Sequence, residues 1–515
     1  MGRGAFLMNG KSFPVAVEGQ KVVFATEMAR IEKKAIAEGS GTSREYMLKA
    51  ADGIFEVVLN YIHEKSLSSN VILVCGKGNN AGDAYSVGEK LLENDFLVKA
   101  YQVFPIDECS DLCKFHADAF KNKGGEILEI KSIDQFLLKE EFLVLDGLLG
   151  TGFKGKVDGL IKDVILKLNS SINPVVAIDI PSGVLGDSGL VEDVAVMADL
   201  TVYVGFLKVG HLYNQGFEHV GELHGVNFGL EKSYIDEIES FGMVVNPEII
   251  HKNLPFRKRT VNKYTVGQVM LIAGSPGMPG AAILASKAAL RSGAGMVRLC
   301  HPPNMEYELS QCPPEVVRHC YSLEKMDKIL EELKRTKAIL IGSGLGRSDN
   351  IPMILKRIYT EAKCPIVIDG DALFYFEGGV KNAILTPHKG ELNKLLNVGE
   401  ISDLELISRA EEFAKLHNVV IVFKGAPTTV IAPSFPKIII PYGNKGMASG
   451  GMGDALAGII ASFLAQGKDL REAAILGSTI HALAGDKAKE TKSEYSMIAS
   501  DLIDALPDIF LQSDQ

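Results

Sequence analysis

The chain has few of the features that mark specialised protein classes. Its 515 residues include seven cysteines, an odd number, and no tryptophan. The cysteines are scattered, which argues against a disulfide framework and favours reduced thiols in a cytoplasmic protein. Cys109 and Cys113 lie close to His116 in the sequence. Because no second cysteine pair accompanies them, this spacing does not predict a metal site.

The chain also lacks an excess of positive charge and a long apolar run. Its formal net charge is −10, whereas sequence-independent binding to nucleic acid requires a basic face. No stretch of the length needed to cross a membrane is free of charges, and the apolar run near residue 1 is too short for a signal peptide. We therefore expect a soluble, cytoplasmic protein with no nucleic-acid or membrane partner.

Apolar residues, in contrast, are abundant. They make up 46% of the chain and charged residues 23%, so the chain can bury large cores. At 515 residues it is too long for one typical domain, and about two to four are expected.

One pattern recurs after two predicted helices, the first of which Thr26 is expected to cap. Short apolar runs at 71–75, 142–146, 175–179 and 198–205 each lead into a polar loop. Uninterrupted apolar runs separated by helical stretches are typical of parallel strands buried on both faces. The pattern therefore predicts a parallel α/β sheet.

The same rhythm fades between about residues 235 and 250 and then restarts. Further apolar runs follow, each before a polar loop, at 269–274, 338–342, 365–369, 383–386, 419–423 and 438–444. The boundary predicts an N-terminal extension (1–20), a first domain (21–240) and a second domain (241–515). In open α/β sheets ligands bind beyond the carboxyl ends of the strands, where the unusual residues of this chain fall.

The glycine-rich stretch 443–458 is the strongest indication of chemistry. Its glycines surround one acid, Asp454, and run into an apolar helical segment. Backbone N–H groups at such a helix start suit a phosphate or a developing anion. A carboxylate there makes sense as a base that takes a proton from a hydroxyl during phosphoryl transfer. The alternative is a helix-capping aspartate after a flexible loop.

Loops of the first half combine amide, hydroxyl and carboxylate groups. GKGNNAGD (76–83) satisfies neither the P-loop nor the dinucleotide motif. Asn79, Asn80 and Asp83 follow one strand, and oxygens of Asp146 and Ser182 follow two others; such oxygens suit a hard cation. Asp179 is a candidate acid/base in the same cleft. Ordinary turn chemistry is the alternative for each of these residues.

Other loops of the second half carry further candidates. Asp371 and His388 each follow a strand, although a single histidine is more often structural. Lys424 is placed to meet a nucleotide phosphate or ribose. The glycines of residues 343–346 would let the backbone pass close to a substrate.

These motifs resemble a known pair of families. GSPGMPGAA, IGSGLG, VIDGDAL, LTPHKGE, FKGAPT and NKGMASGGMGDALAG, in this order, make the second half similar to the NAD(P)H-hydrate dehydratases, which have a ribokinase-like α/β fold. VCGKGNNAGDA, LDGLLGTGFKG and IDIPSG make the first half similar to the NAD(P)H-hydrate epimerases, which have a Rossmann-like parallel sheet. Together the chain resembles the bifunctional hydrate-repair proteins of bacteria and archaea.

The resemblance implies two coupled activities. NADH and NADPH can add water at C6 of the nicotinamide ring, which gives two epimers that no longer donate hydride. The epimerase half would interconvert them. The dehydratase half would phosphorylate the S epimer with ADP or ATP, carried with magnesium, and expel phosphate to restore the coenzyme. The fused architecture favours ADP, and a homo-oligomer is expected.

The resemblance also implies roles for particular residues. In the first half the hydrate would contact a set of loop residues: Asn79, Asn80, Ala81, Gly82, Asp83, Gly150, Thr151, Gly152, Phe153, Lys154, Gly155, Lys156 and the catalytic Asp179. A potassium ion would be held by Asn80, Asp146 and Ser182. In the second half the hydrate would contact Ala281, Gly346, His388 and the catalytic base Asp454. The adenine nucleotide would contact Lys424, Gly425, Ala426, Pro427, Thr428 and Gly453.

The chain departs from the family pattern at several positions. Ala81 and Ala84 replace glycines of the epimerase loop, and their methyl groups are expected to narrow that site. Met278 stands where relatives have an aromatic residue, which is expected to alter ring stacking. Lys389 replaces a proline and is expected to have little effect.

Two other functions compete with this interpretation. A ribokinase-like kinase for a small vitamin-type alcohol needs the same glycine-rich loop and aspartate. The first half could also be a non-catalytic binding module, but Asp146 and Asp179 are both retained.

Overall fold

The computed structural model describes residues 19–321 and 326–511. These residues form two compact units, 20–242 in the first and Gly19 with residues from 243 onwards in the second. Of the predicted N-terminal extension, residues 1–18 lie outside the described residues.

The first unit alternates strands and helices. Its strands are β1 (Lys21–Val23), β2 (Asn70–Cys75), β3 (Leu97–Gln102), β4 (Glu126–Glu129), β5 (Leu143–Gly147), β6 (Val175–Ile178), β7 (Leu200–Val204), β8 (Leu207–Lys208) and β9 (Glu222–Val226). Its helices are α1 (Ala25–Ala37), α2 (Ser43–Glu64), α3 (Asn79–Glu93), α4 (Asp111–Asn122), α5 (Gly159–Asn169), α6 (Gly216–His219) and α7 (Lys232–Glu237). Short 3-10 turns span Ile106–Glu108, Ile133–Gln135 and Val209–His211.

The main sheet of the first unit has seven strands in the order β4-β3-β2-β5-β6-β7-β9. All six pairings are parallel. Chain order reverses between β2 and β5, so this is a Rossmann-like arrangement whose switch point opens a crevice at the strands' carboxyl ends. Apolar clusters cover both faces of the sheet, as the uninterrupted apolar runs predict.

The second unit is also α/β. Its strands are β10 (Gly242–Val244), β11 (Gln268–Ile272), β12 (Met296–His301), β13 (Val317–Cys320), β14 (Ala338–Ile341), β15 (Ile366–Ile368), β16 (Ala383–Leu385), β17 (Val420–Phe423), β18 (Thr428–Ile431) and β19 (Ile438–Ile440). Its helices are α8 (Ile249–Asn253), α9 (Lys263–Val266), α10 (Pro279–Arg291), α11 (Met326–Leu333), α12 (Ile351–Glu361), α13 (Lys389–Leu395), α14 (Asp403–His417), α15 (Met452–Ala465), α16 (Leu470–Ser496) and α17 (Ala499–Leu511). Its 3-10 turns are Glu308–Gln311, Gly370–Tyr375 and Lys445–Met447.

Strands of the second unit follow the order β13-β12-β11-β14-β15-β16-β17-β18-β19-β10. Only the two pairings made by β18 are antiparallel. Chain order reverses between β11 and β14, so the loops after these two strands flank a crevice. This is the ribokinase-like sheet expected from the sequence.

The start of α1 differs from the prediction. The helix begins at Ala25 and Phe24 is its N-cap, with no side-chain hydrogen bond at the cap. Thr26 lies inside the first turn, where its backbone N–H donates to Asp187 Oδ1 at 3.0 Å. Thr26 is therefore not the N-cap, and the N-cap residue Phe24 provides no side-chain hydrogen bond to the first turn of α1.

Small residues allow three helices of the second unit to pack closely. Gly458 of α15 faces α10, where a Cβ atom would lie 2.3 Å from the carbonyl oxygen of Ala285. Gly477 of α16 faces α15 in the same way, 2.7 Å from Ile460 Cγ1. These contacts fix α15, whose first turn carries Asp454, against its neighbours.

No helix in the described parts of the chain combines the length and apolar composition that a bilayer crossing requires.

Gly458→Ala should destabilise the second unit. Alanine in a helix interior normally stabilises by about 1 kcal/mol relative to glycine, but overpacking against a backbone oxygen costs about 1–3 kcal/mol. Calorimetry of the full chain should show a lower Tm for the second unit. The control is Gly399→Ala, since a Cβ atom there meets nothing within 4 Å. An unchanged or raised Tm in Gly458→Ala would show that α10 and α15 are not held together at this contact.

Candidate active sites

The first unit has a cavity of about 460 Å³ at the carboxyl ends of β2, β5, β6 and β7. Many of the predicted hydrate contacts line it, namely Asn79, Asn80, Asp83, Gly150, Thr151, Gly152, Phe153 and Asp179. The structure therefore brings the loops after three adjacent strands to one crevice, as parallel pairing requires.

Other predicted contacts lie outside this cavity. Ala81 and Ala84 are fully buried in the apolar core, and a methyl group at Gly82 would meet Met47 Sδ at 3.0 Å. Both alanine methyl groups point away from the cavity, so they do not narrow it as expected. Lys154, Gly155 and Lys156 are exposed and do not line the cavity.

Asp179 has the most constrained environment of the cavity. Its Oδ1 accepts from Lys208 Nζ at 2.5 Å and from the Val204 N–H at 3.1 Å. Its Oδ2 accepts from the Thr151 hydroxyl at 3.2 Å. Burial alone would raise the pKa of Asp179, but the charge and the hydrogen bond of Lys208 hold it below its usual value. Asp179 is therefore an ionised carboxylate, the form that a general base requires.

The backbone of Asp179 is strained. Its φ is +62°, in the left-handed region that costs a non-glycine residue about 1–3 kcal/mol. Hydrogen bonds hold it there: the Asp179 N–H donates to the Val202 carbonyl at 2.9 Å, and His211 Nε2 donates to the Asp179 carbonyl at 2.7 Å. Such strain is typical of functional sites.

The predicted potassium ligands form a cluster of oxygens beside the cavity. Asp146 accepts from the Ser182 hydroxyl at 2.6 Å and from the Ser182 N–H at 2.8 Å. The Leu149 carbonyl accepts from Asn80 Nδ2 at 3.0 Å and from the Ser182 hydroxyl at 3.2 Å. Burial raises the pKa of Asp146 to about 6, against the hydrogen bonds from Ser182 and Leu148. These oxygen atoms surround the fully buried carboxyl group of Asp146. Such a set of oxygen ligands fits a hard cation of single charge.

Two further carboxyl groups line the first cavity. Asp83 belongs to α3, and Glu32 belongs to α1. Burial, followed by the negative charge of Asp179, raises the pKa of both. The sequence reasoning missed Glu32 and Lys208 as parts of the site. Lys208 could have been found, because it follows a predicted strand as Asp179 does.

In the second unit, the glycine-rich loop runs into α15 as predicted. Gly451 is the N-cap with φ +91°, a conformation that suits glycine. Asp454 lies in the first turn, three residues after the cap, and the cap has no side-chain hydrogen bond. The capping alternative for Asp454 is therefore wrong. Its side chain lines a cavity of about 270 Å³.

Asp454 sits among charges of both signs. Burial raises its pKa to about 6, and Asp369 adds to the rise, while a hydrogen bond with Ser343 and the charge of Lys424 oppose it. A pKa near 6 leaves Asp454 mostly ionised at pH 7 yet still able to hold a proton. This is the range in which a carboxylate is effective as a general base near neutral pH.

Lys424 links several predicted residues. Its Nζ lies 3.0 Å from Asp369 Oδ1 and 3.6 Å from Glu391 Oε2. A methyl group at Gly453 would lie only 3.2 Å from this nitrogen. Although burial lowers the pKa of Lys424, Asp369 and Glu391 together raise it. Lys424 is therefore a positively charged side chain that two carboxylates hold beside the start of α15.

His388 has a structural task in addition to its predicted one. Its Nδ1 caps α13 by accepting from the N–H groups of Gly390 at 3.0 Å and Glu391 at 3.3 Å. The side chain is nevertheless 60% exposed, and its Nε2 lies 3.5 Å from Glu391 Oε1. The backbones of His388 and Lys424 form a parallel β-bridge, so the two residues lie side by side.

Of the residues singled out in the second half, Asp371 and Asp454 line the cavity of about 270 Å³. The other predicted contacts are not among its lining residues: Ala281, Gly346, His388, Lys424, Gly425, Ala426, Pro427, Thr428 and Gly453. Gly346 donates its N–H to Asp371 Oδ2 at 2.9 Å, and a methyl group at Gly344 would meet Ala281 Cβ at 2.8 Å. Met278 is the N-cap of α10, and a methyl group at Gly346 would lie 3.7 Å from Met278 Cε. In the segment after Lys424, the Thr428 hydroxyl donates to the Gly425 carbonyl at 3.1 Å. This hydrogen bond joins the two ends of the segment 425–428.

Several cavity residues had no signal in the sequence reasoning. They are Arg347, Phe374 and Lys394. Glu391 also lines the cavity; it ends the motif LTPHKGE but was given no role. The Arg347 guanidinium lies 4.8 Å from the centre of the Phe374 ring, and its Nε is 3.4 Å from Asp371 Oδ1. An exposed ring beside Asp454 offers a surface on which a planar ligand group can stack.

Two family models match the chain. Residues 269–508 match the model described as NAD(P)H-hydrate dehydratase, and residues 43–210 match the model described as YjeF-related protein N-terminus. Together they cover both clefts.

Similar proteins span nearly the whole chain. The bifunctional NAD(P)H-hydrate repair enzyme Nnr of Moorella thermoacetica is 30% identical over 508 residues, which cover 94% of this chain and 96% of that protein. The enzyme of the same name from Escherichia coli is 32% identical over 509 residues, with coverages of 96% and 95%. The crystal structure of the ADP/ATP-dependent NAD(P)H-hydrate dehydratase of Bacillus subtilis, co-crystallised with ATP/Mg²⁺, is 29% identical, covers 52% of this chain and 97% of that one, and has a TM-score of 0.47.

The protein is thus an α/β enzyme in which a Rossmann-like unit precedes a ribokinase-like unit. Each unit has a cleft at the carboxyl ends of its strands. Each cleft contains a partly buried aspartate whose pKa is shifted by its surroundings. The chain belongs to the family of bifunctional NAD(P)H-hydrate repair enzymes.

Proposed function

We propose that the chain repairs hydrated nicotinamide coenzymes by two activities. The first unit interconverts the R and S epimers of NADHX and NADPHX. The second unit dehydrates the S epimer with ADP or ATP and releases NAD(P)H, AMP or ADP, and phosphate. The observation that carries this function is the near-complete match of both units to enzymes of this activity.

The second unit supplies the parts that phosphoryl transfer needs. Asp454 takes the proton of the C6 hydroxyl as that oxygen attacks the terminal phosphoryl group. The N–H groups at the start of α15 and the ammonium of Lys424 receive the developing negative charge. Phosphate then leaves C6 with loss of a proton from C5, which restores the ring double bond. Ala281, Gly346 and His388 are proposed to contact the hydrate.

The nucleotide is proposed to lie along the segment 424–428 and Gly453. Magnesium would arrive with it, since Mg²⁺ usually binds through substrate phosphates and one or two carboxylates. Asp371 and Glu391 line the cavity and are the oxygens that would complete its coordination. ADP is the proposed donor, as in the resemblance drawn from the sequence.

In the first unit, Asp179 is proposed as the acid/base group of the epimerisation at C6. Asn79, Asn80 and Asp83 with the loop 150–156 are proposed to hold the hydrate. Asp146, Ser182 and Asn80 would hold a potassium ion, whose positive charge offsets the buried carboxylate.

The rival functions have less support. A vitamin-type alcohol kinase would explain the second unit alone, whereas the relatives match both units. A non-catalytic first unit would not need the ion pair between Lys208 and the strained Asp179. A homo-oligomeric state and a cytoplasmic location stay predictions.

Asp454→Asn should abolish ADP-dependent recovery of dihydronicotinamide absorbance from NADHX, with a loss of roughly 100-fold or more, because the base is gone. ADP binding, measured by calorimetry, should survive since the N–H groups that hold phosphate remain. Asp504→Asn is the matched control, a surface carboxylate that pairs with Lys287 at 2.8 Å. In the wild type, kcat/KM should fall below the pKa of about 6. Retained turnover in Asp454→Asn would remove Asp454 from the mechanism.

Asp179→Asn should stop epimerisation and leave dehydration intact. With excess ADP, the wild type should consume a racemic hydrate completely. The variant should stop at about half, apart from slow spontaneous epimerisation, since its base is lost. Asp193→Asn, which breaks a surface ion pair with Lys162 of 2.7 Å, serves as control. Equal extents at early times in variant and wild type would contradict the role of Asp179.

Potassium should stabilise the first unit. An ion that binds only the folded state adds stability as its concentration rises above its dissociation constant. Replacing tetramethylammonium chloride by potassium chloride at constant ionic strength should raise the Tm of the first unit. Asp146→Asn should remove this increase. A Tm that is equal in both salts would argue against the potassium site.

A further inference from the structure

We propose that Lys208 is the positioning residue of the first cleft: its buried ammonium holds Oδ1 of Asp179, so that Oδ2 is the oxygen offered to the hydrate. This inference rests on the proposed epimerase function of the first unit. It adds a residue of the segment after β7 to a site otherwise built from the loops after β2, β5 and β6.

The ion pair itself is the first argument. Lys208 Nζ lies 2.5 Å from Asp179 Oδ1 and donates to the Val204 carbonyl at 2.7 Å. Its side chain is 2% exposed and that of Asp179 is 15% exposed. A lysine is almost never buried to this extent unless it is paired. The pair is thus a built part of the cleft.

A second connection joins the two residues through their backbones. His211 Nδ1 accepts from the Lys208 N–H at 3.0 Å, while its Nε2 donates to the Asp179 carbonyl at 2.7 Å. Burial, and then the charge of Lys208, lowers the pKa of His211 to about 4, so the ring is neutral and serves as a fixed brace. Lys208 and the strained Asp179 are therefore held at a set separation.

The contacts also distinguish the two oxygens of Asp179. Oδ1 receives both Lys208 Nζ and the Val204 N–H. Oδ2 receives the Thr151 hydroxyl, and Thr151 lines the cavity. Since Oδ1 is taken up by donors from the protein, Oδ2 is the oxygen with capacity left for a substrate proton.

Lys208 also distinguishes Asp179 from the other carboxyl groups that face it. Glu32 of α1 and Asp83 of α3 face Asp179, and burial together with the charge of Asp179 raises the pKa of both. His211, from the turn after β8, contacts the Asp179 carbonyl. Among the described residues, the ion pair of Lys208 is made with Asp179. Burial raises the pKa of Glu32 and Asp83, whereas that of Asp179 is lowered. The pKa of Asp179 is thereby moved in the opposite direction from those of its neighbours, a separation that acid/base chemistry uses.

The test compares three substitutions in the full chain. Lys208→Met keeps the length of the side chain and removes its charge, Lys208→Gln keeps a hydrogen-bond donor without charge, and Lys208→Arg keeps the charge. Lys162→Met is the matched control, because it breaks an ion pair of 2.7 Å with Asp193 on the surface of the same unit. In every variant, dehydration of purified S-NADHX with ADP reports that the second unit is folded, and calorimetry reports the Tm of the first unit.

Epimerisation is measured without nucleotide, starting from the R hydrate and separating both epimers by chromatography between pH 5 and 9, with buffer as blank. In the wild type kcat/KM should show no acid limb in this range, because Asp179 stays ionised. In Lys208→Met and Lys208→Gln an acid limb should enter it, and the rate should fall about tenfold for each pH unit below the new pKa. Near pH 9 most of the rate should return. Lys208→Arg and Lys162→Met should keep the wild-type profile.

A purely structural role would lower the rate equally at every pH, together with the Tm of the first unit. That result, or a wild-type profile in Lys208→Met and Lys208→Gln, would overturn the inference while leaving the epimerase function intact. If the neutral variants fail to fold, Lys208→Arg decides: an acid limb in this variant also overturns it. A wild-type chain that does not exceed the buffer blank would instead refute the epimerase function itself.

Discussion

Parallel pairing is the constraint on which both units depend. Parallel strands bring their carboxyl ends to one edge of a sheet, and helices must cover both faces because the central strands are apolar throughout. Polar residues with a chemical role then gather at that edge, in the loops and in the adjoining helices. In each unit the crevice opens where chain order reverses, between β2 and β5 and between β11 and β14. The cavity that holds Asp179 and the cavity that holds Asp454 both lie at this edge.

The fold could be predicted from the sequence where strands are uninterrupted apolar runs. It could not at the sheet edges, nor for the interior strands β3 and β12, which carry Lys99 and Arg298. The apolar runs identified β2, β5, β6 and β7 in the first unit, because neighbours on both sides and helices on both faces bury nearly every side chain. The strands β4, β9 and β13 lie at or near sheet edges and carry exposed polar residues. Alternating or mixed composition of that kind does not separate a strand from a loop, so these strands were missed.

Individual cleft residues could be predicted only where they lie within a recognisable sequence motif. Asp454 and Asp179 follow strands within glycine-bearing loops, so they could be proposed as bases before any geometry. Glu32 could not, since it is one acid on an amphipathic helix, and only the packing of α1 over the sheet brings it to the cavity. The expectation that the methyl groups of Ala81 and Ala84 narrow the cavity was wrong for a related reason. Which face of α3 points to the core is decided by tertiary packing, and both methyl groups lie on that face.

The left-handed backbone of Asp179 has a consequence for how such a unit can change its task. Asparagine is among the few residues that adopt this conformation readily, and aspartate and asparagine codons differ by one base. A single nucleotide change can therefore remove the negative charge and keep the backbone conformation, but it leaves the buried ammonium of Lys208 without a counter-charge. A unit with this geometry that loses the carboxylate must also change Lys208 to become a stable binding module.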